Sequence, residues 1–207
     1  MGFRRFIMLE QITDSVVDWG ASFGLTGLAL ISASEATFQP VPPDLLVIPM
    51  SLEASSDFDL LAIFLVVTLS SVIGSLGGYA IGLYAGRPAI DKFFKNSTSK
   101  KLDELISRYG VAGVFIAAVS PIPYKLLAWT AGAGRMEMRT FLTAGVFGRG
   151  IRFGIEVLLL GYWGEEFVEM LQEPIFWALV GLFSIVVFIP LNTWWNDLDS
   201  PVDELPQ

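Results

Sequence analysis

The sequence predicts an all-α membrane protein: an inverted repeat of a re-entrant hairpin plus a transmembrane helix, with an extra C-terminal transmembrane helix. Three observations predict it. Of the 207 residues, 53% are hydrophobic and 16% charged, with mean hydropathy +0.59, whereas a soluble domain carries about 25% charged residues. The phrase Pro40-Val41-Pro42-Pro43-Asp44-Leu45-Leu46 returns 81 residues later as Pro121-Ile122-Pro123-Tyr124-Lys125-Leu126-Leu127, its acid replaced by a base. Segments 87–108 and 135–139 together hold eight of the 13 Lys and Arg residues.

Residues 3–19 carry apolar side chains at Phe6, Leu9, Ile12, Val16 and Trp19, with acids on the other face. That periodicity predicts a helix lying on the membrane surface, so residues 1–22 form an N-terminal amphipathic unit. The apolar run after Arg4-Arg5 is too short for a cleavable signal peptide.

The membrane domain is expected over residues 23–193. Residues 23–34 and 45–52 are apolar, but neither reaches the roughly 20 residues that a spanning helix needs. Between them stand Glu35, Pro40 and Pro42. Each proline removes a backbone donor and crowds the preceding turn. Two short arms around such a break predict a re-entrant hairpin, tolerated where protein or water satisfies the backbone.

Residues 60–86 are long and apolar enough to span. Gly74, Gly78, Gly82 and Gly86 recur every four residues, a smooth stripe that lets another backbone approach. It serves either general helix packing or a moving hairpin or lipid chain. A basic, soluble interruption follows at 87–109, with a short amphipathic helix predicted over Ser99–Tyr109. Residues 111–134 repeat the hairpin around Pro121 and Pro123. Residues 140–163 give a second span, which carries Arg149, Arg152 and Glu156. Residues 175–193 give the last span, closed by the interfacial pair Trp194-Trp195. The acidic tail, 194–207, is expected to lack a fixed fold.

The two basic segments mark the cytoplasmic side. Segments 53–59 and 164–173 contain acids and no Lys or Arg, which suits the outer side. The first hairpin then enters from outside and the second from the cytoplasm, so the repeats are inverted. Arg4 and Arg5 fit this scheme only if residues 3–34 cross the membrane.

Three bases, Lys125, Arg149 and Arg152, and three acids, Glu35, Asp44 and Glu156, fall at membrane depth. A charge at mid-bilayer costs about 2.5–3.5 kcal/mol on insertion scales, so the six must face each other or a wet cavity. Arg149, Arg152 and Glu156 share one helix face. Asp44 and Lys125 occupy matching places in the two repeats. They either form ion pairs that only fix hairpin packing, or line a midplane cavity. In the second case Lys125, Arg149 and Arg152 bind an anion, and Glu35 or Asp44 takes up a proton or cation. A broken helix at membrane depth, repeated once, is the usual mark of such a transport site.

The sequence excludes several function classes. With no cysteine and no histidine, thiolate chemistry, imidazole bases and Cys/His metal sites are absent. No nucleophile–base pair and no phosphate-binding glycine loop stand out, so neither an enzyme nor a cofactor site is expected. The net charge of −8 argues against nucleic acid as a partner.

From about Glu35 to Trp163 the chain resembles the DedA family, also called SNARE-associated or VTT-domain membrane proteins. The resemblance rests on Glu35 with Pro40-x-Pro42-x-Asp44, on the glycine helix with Gly77, Gly78, Tyr79, Gly82 and Gly86, and on the second proline hairpin ending Ala131-Gly132. It implies a multi-pass protein of the bacterial inner membrane that moves polyprenyl-phosphate carriers or phospholipids between leaflets in a proton-dependent way. Membrane lipids, an anionic lipid carrier among them, are then the partners, with a homo-oligomer as an open option. It also implies that Glu35 and Asp44 are the family's functional acids. The family's second hairpin typically reads Arg-x-x-Pro-x-x-Arg; here Ser120 stands at the first Arg position and Lys125 near the second. Lys keeps the charge but not the bidentate geometry, which marks a divergent subgroup. A proton- or sodium-coupled exporter of small solutes and a non-transporting scaffold are the competing readings.

Overall fold

The computed structural model describes residues 18–93, 96–119, 124–170 and 172–197. Most of the predicted surface helix, the prolines Pro121 and Pro123, and the tail beyond residue 197 lie outside them. The described chain is helical throughout and contains no strand. Its elements are α1 (Leu25–Thr37), α2 (Asp44–Leu52), α3 (Asp57–Phe93), α4 (Asn96–Tyr109), α5 (Val111–Val119), α6 (Tyr124–Ala133), α7 (Met138–Met170) and α8 (Pro174–Asp197).

The break between α1 and α2 falls where the prolines stand. Pro40, Pro42 and Pro43 have no N–H to offer, and the Gln39 side chain supplies what they lack. Its Nε2 donates to the carbonyls of Val41 (2.8 Å) and Ile31 (3.2 Å), and its Oε1 accepts from the Val41 N–H at 2.7 Å. The amide thus replaces the missing ladder between two short helices, of 13 and 9 residues.

α3 and α7 cross at the centre, and the short helices divide between them. α1 and α6 lie on α3; α2 and α5 lie on α7. The first arm of each short pair therefore packs on the long helix that follows it. The second arm packs on the other long helix. Close approach on α3 depends on its glycines. A side chain at Gly74 would strike the Ala33 backbone, and one at Gly82 the Trp129 backbone. Gly78 sits between Ala128 and Ala36. Gly86, expected on the same stripe, does something else. Its φ of 64° and ψ of −162° break α3, a conformation that suits glycine.

Between two apolar cores the molecule buries a set of polar groups, and its exterior is apolar. Ser32, Glu35, Thr68, Ser71, Thr130 and Arg149 are buried, while Phe58, Leu61, Leu65, Leu69 and Ile73 form an exposed stripe along α3. An apolar exterior of this extent marks a membrane-facing surface. Asp57–Gly86 is the one described helix both long and apolar enough to cross a bilayer. The expected second span is a helix of 33 residues, broken at Trp163, and its charges keep it from being apolar enough. The expected C-terminal span is also a helix, Pro174–Asp197, of 24 residues, with an apolar run over Pro174–Val187. The amphipathic helix predicted in the basic interruption is α4, which buries Leu102 and Leu105.

Candidate functional site

The first short pair supplies two acids. Glu35 lies in the last turn of α1, and Asp44 opens α2. The other half supplies the bases: Lys125 at the start of α6, and Arg149 and Arg152 on α7. Because α6 packs on α3 alongside α1, and α2 lies against α7, the acids and bases meet where the two halves touch.

Two groupings result. In the first, Lys125 Nζ lies 3.5 Å from Glu35 Oε1, and Arg149 Nη2 lies 3.8 Å from Glu35 Oε2. Each cation is also tethered elsewhere. Lys125 Nζ donates to the Gln39 carbonyl at 2.8 Å, and Arg149 Nε donates to Ser71 Oγ at 3.0 Å. The Arg149 guanidinium is further held between aromatic faces, 4.9 Å from the Tyr124 ring centroid and 4.4 Å from that of Phe153. Such stacking suits a weakly hydrated planar cation. In the second grouping Arg152 Nη2 donates to Asp44 Oδ1 at 2.6 Å. Glu156, one turn on, lies against Asp44 and Arg152.

All six charges at membrane depth thus come together in two groupings. Asp44 and Lys125, at matching positions of the two repeats, fall in different ones: Asp44 takes Arg152, and Lys125 takes Glu35. The reason is geometric. Asp44 is carried on an arm that packs against α7, and Lys125 on one that faces α1.

The groupings differ in tightness. A charge-assisted N–H···O bond runs about 2.7–2.9 Å, and only Arg152–Asp44 is that close. Glu35 Oε2 and Arg149 Nη2 are buried without any hydrogen-bond partner among the described residues. A buried polar atom left so costs about 1–3 kcal/mol.

Several residues of the site escape sequence patterns. Trp129 Nε1 donates to the Thr37 carbonyl at 2.8 Å, and Thr37 Oγ1 donates to the carbonyls of Ala33 and Gly74. These bonds lock α6 and α3 to the end of α1. The only early sign of Gln39 is its place: an amide directly before a run of prolines. Ser71 is one of several hydroxyls, with Thr68, Ser70 and Ser75, in a span free of charges.

An open apolar groove of about 340 Å³ runs between α3 and α7, lined by Leu60, Phe64, Gly154, Val157 and Leu158 and by none of the six charges. At one end the Tyr162 hydroxyl donates to Asp57 Oδ1 at 2.8 Å.

A family model described as the VTT domain matches residues 41–162. Among relatives, an uncharacterised protein of Haemophilus influenzae is 33% identical over 186 residues, covering 86% of this chain and 96% of that one. An uncharacterised protein of Methanocaldococcus jannaschii is 27% identical, covering 73% of this chain and 93% of its own. The undecaprenyl phosphate transporter A of Staphylococcus aureus is 26% identical, covering 74% of this chain and 78% of its own. No solved structure matches the chain.

Proposed function

Because this chain belongs to the VTT-domain (DedA) family, and is accordingly a membrane transporter rather than an enzyme, we propose that it carries a phosphate-bearing lipid, a polyprenyl phosphate or a phospholipid, between leaflets. The anionic headgroup passes along Lys125, Arg149 and Arg152, with Glu35 and Asp44 coupling the movement to protons or another cation. The observation that carries this reading is the convergence of Lys125 and Arg149 on Glu35, all mostly buried, inside a bundle with an apolar exterior. The staphylococcal relative, by its name, transports undecaprenyl phosphate, which favours a lipid over a small solute. The groove between α3 and α7 offers an apolar surface for a lipid chain.

In this reading α1–α2 and α5–α6 are re-entrant hairpins of an inverted repeat in a multi-pass plasma-membrane protein. Two facts support it. The contacts of one short pair with the long helices are those of the other with the long helices exchanged. At about 1.5 Å per residue, α1 is near 20 Å long and α2 shorter still, below the roughly 30 Å of a hydrocarbon core.

The test is lipid flipping in proteoliposomes holding the full chain and a fluorescent anionic lipid. The expected result is flipping above that of empty vesicles, lost in Lys125→Gln and Arg149→Gln variants that still fold. No flipping across several anionic lipids sinks the reading.

A further inference from the structure

The Glu35 carboxylate and a lipid phosphate have the same chemistry: each is an anion whose oxygens suit two convergent cations. Glu35 already stands between two such cations, and it stands there loosely. Neither contact is a hydrogen bond: its oxygens lie 3.5 Å from Lys125 and 3.8 Å from Arg149. Glu35 Oε2 and Arg149 Nη2 are each buried and unpaired among the described residues. Arg149 is 5% exposed, so water does not complete its shell from outside. The second grouping behaves differently, with Asp44 closed on Arg152 at 2.6 Å.

The two cations do not depend on Glu35 for their positions. Lys125 is held by the Gln39 carbonyl, and Arg149 by Ser71, Tyr124 and Phe153. If Glu35 withdrew, both would stay in place. Arg149 would keep a free Nη2 donor, and Lys125 two of its three ammonium donors.

We propose that Glu35 is an internal substitute for the transported anion: it fills the Lys125–Arg149 site until it is protonated, so that each anion bound takes up one proton. The inference rests on the transport reading above and specifies its site. The ligand is a singly or doubly charged oxyanion, such as a phosphate headgroup. Uptake of a proton makes Glu35 neutral and removes its attraction to both cations. The anion then takes the oxygen positions that Glu35 leaves. When the anion departs, Glu35 loses the proton and returns. Two buried cations are therefore never left without a counter-charge, a state that costs several kcal/mol per ion.

The charged and titratable groups around this exchange are few. α6 brings Lys125 and Tyr124, α7 brings Arg149 with Arg152 and Glu156 beyond it, and α2 brings Asp44. α3 has no acidic or basic residue between 60 and 86 and offers Ser71. Asp44 and Glu156 are thus the other carboxyls able to hold the proton, and the experiment separates them from Glu35.

The experiment is calorimetric titration of the full chain in detergent, from about pH 5 to about pH 8, in buffers of differing ionisation enthalpy. The probes are sodium sulfate and dihexanoyl phosphatidylglycerol, whose charges do not change over that range. Wild-type binding is expected to tighten as the pH falls, by up to about tenfold per unit, with one proton taken up per anion. Glu35→Gln is expected to bind at least about tenfold more tightly than wild type near pH 8, without proton uptake. Wild-type binding that ignores pH and takes up no proton overturns the inference, and needs no variant. So does uptake that persists in Glu35→Gln, which would place the proton on Asp44 or Glu156. Binding of sulfate and the lipid alike marks a general anion site; binding of the lipid alone marks a headgroup site. Should wild type flip lipid without any pH dependence, the transport reading stands and the inference falls. If neither probe binds and no lipid flips, both fall.

Discussion

Arg152 on α7 donates to Asp44, 108 positions earlier at the head of α2, through a 2.6 Å Nη2–Oδ1 contact. It is the tightest of the described ion pairs, and it fastens the second arm of the first short pair to the other half of the molecule. The side chains are 30% and 22% exposed, so the pair contributes less than a fully buried one, whose rupture costs about 3–5 kcal/mol.

Asp44→Ala is therefore expected to destabilise the protein by about 1–3 kcal/mol, with the loss partly relieved because Glu156 remains beside Arg152. The exchanged pair Asp44→Arg with Arg152→Asp should recover part of it. Thermal unfolding of wild type, Asp44→Arg, Arg152→Asp and the exchanged pair in detergent gives the coupling energy; a value near zero means that the contact holds nothing.

Much of this site is legible in the sequence because bilayer physics makes charges at depth conspicuous. Glu35, Asp44, Lys125, Arg149 and Arg152 stand out against apolar neighbours, and their cost predicts that they meet. Their pairing is not legible. Symmetry alone places Asp44 and Lys125 near the centre without assigning partners, and the arms that carry them pack on different helices, so each finds its own. Gly74, Gly78 and Gly82 read correctly as points of close approach. The same spacing misreads Gly86, because a period of four cannot tell the last packing position from a helix break. Gln39 and Ser71 carry no pattern; their roles exist only once a proline-rich link or a guanidinium is placed against them.

Gly82→Ala tests the close approach. A methyl group there meets the backbone of Trp129 rather than a side chain that could turn aside. Overpacking of this kind costs about 1–3 kcal/mol. It should also lengthen the bond from Trp129 to the Thr37 carbonyl. Gly181→Ala, inside α8 with open space around it, is the control and should not lower the unfolding temperature, since Ala favours a helix over Gly. Equal effects of the two would contradict the packing described.

Gln39→Ala removes two donors and one acceptor from the link between α1 and α2. With a net value of about 0.5–1.5 kcal/mol for each hydrogen bond, a loss of roughly 2–3 kcal/mol is expected. Amide exchange at Val41 should accelerate in parallel. Lys125 bonds to the Gln39 backbone carbonyl, not its side chain, so that contact survives the substitution. Exchange at Val41 unchanged from wild type would show that the amide does not support the link.

α8 makes no substantial packing contact with the other described helices, and its apolar residues, including Ile175, Leu182, Phe183 and Val186, are exposed. The two apolar cores draw on α1 to α7 alone among the described residues. A chain ending at Glu173 should therefore keep the bundle and its charged site. Its unfolding temperature in detergent should match that of the full chain, and the coupling energy of Asp44 with Arg152 should be unchanged. The apolar surface of α8 would then serve contact with lipid, and truncation should weaken retention in the membrane fraction instead. Loss of the folded bundle on truncation would show that α8 packs against it after all.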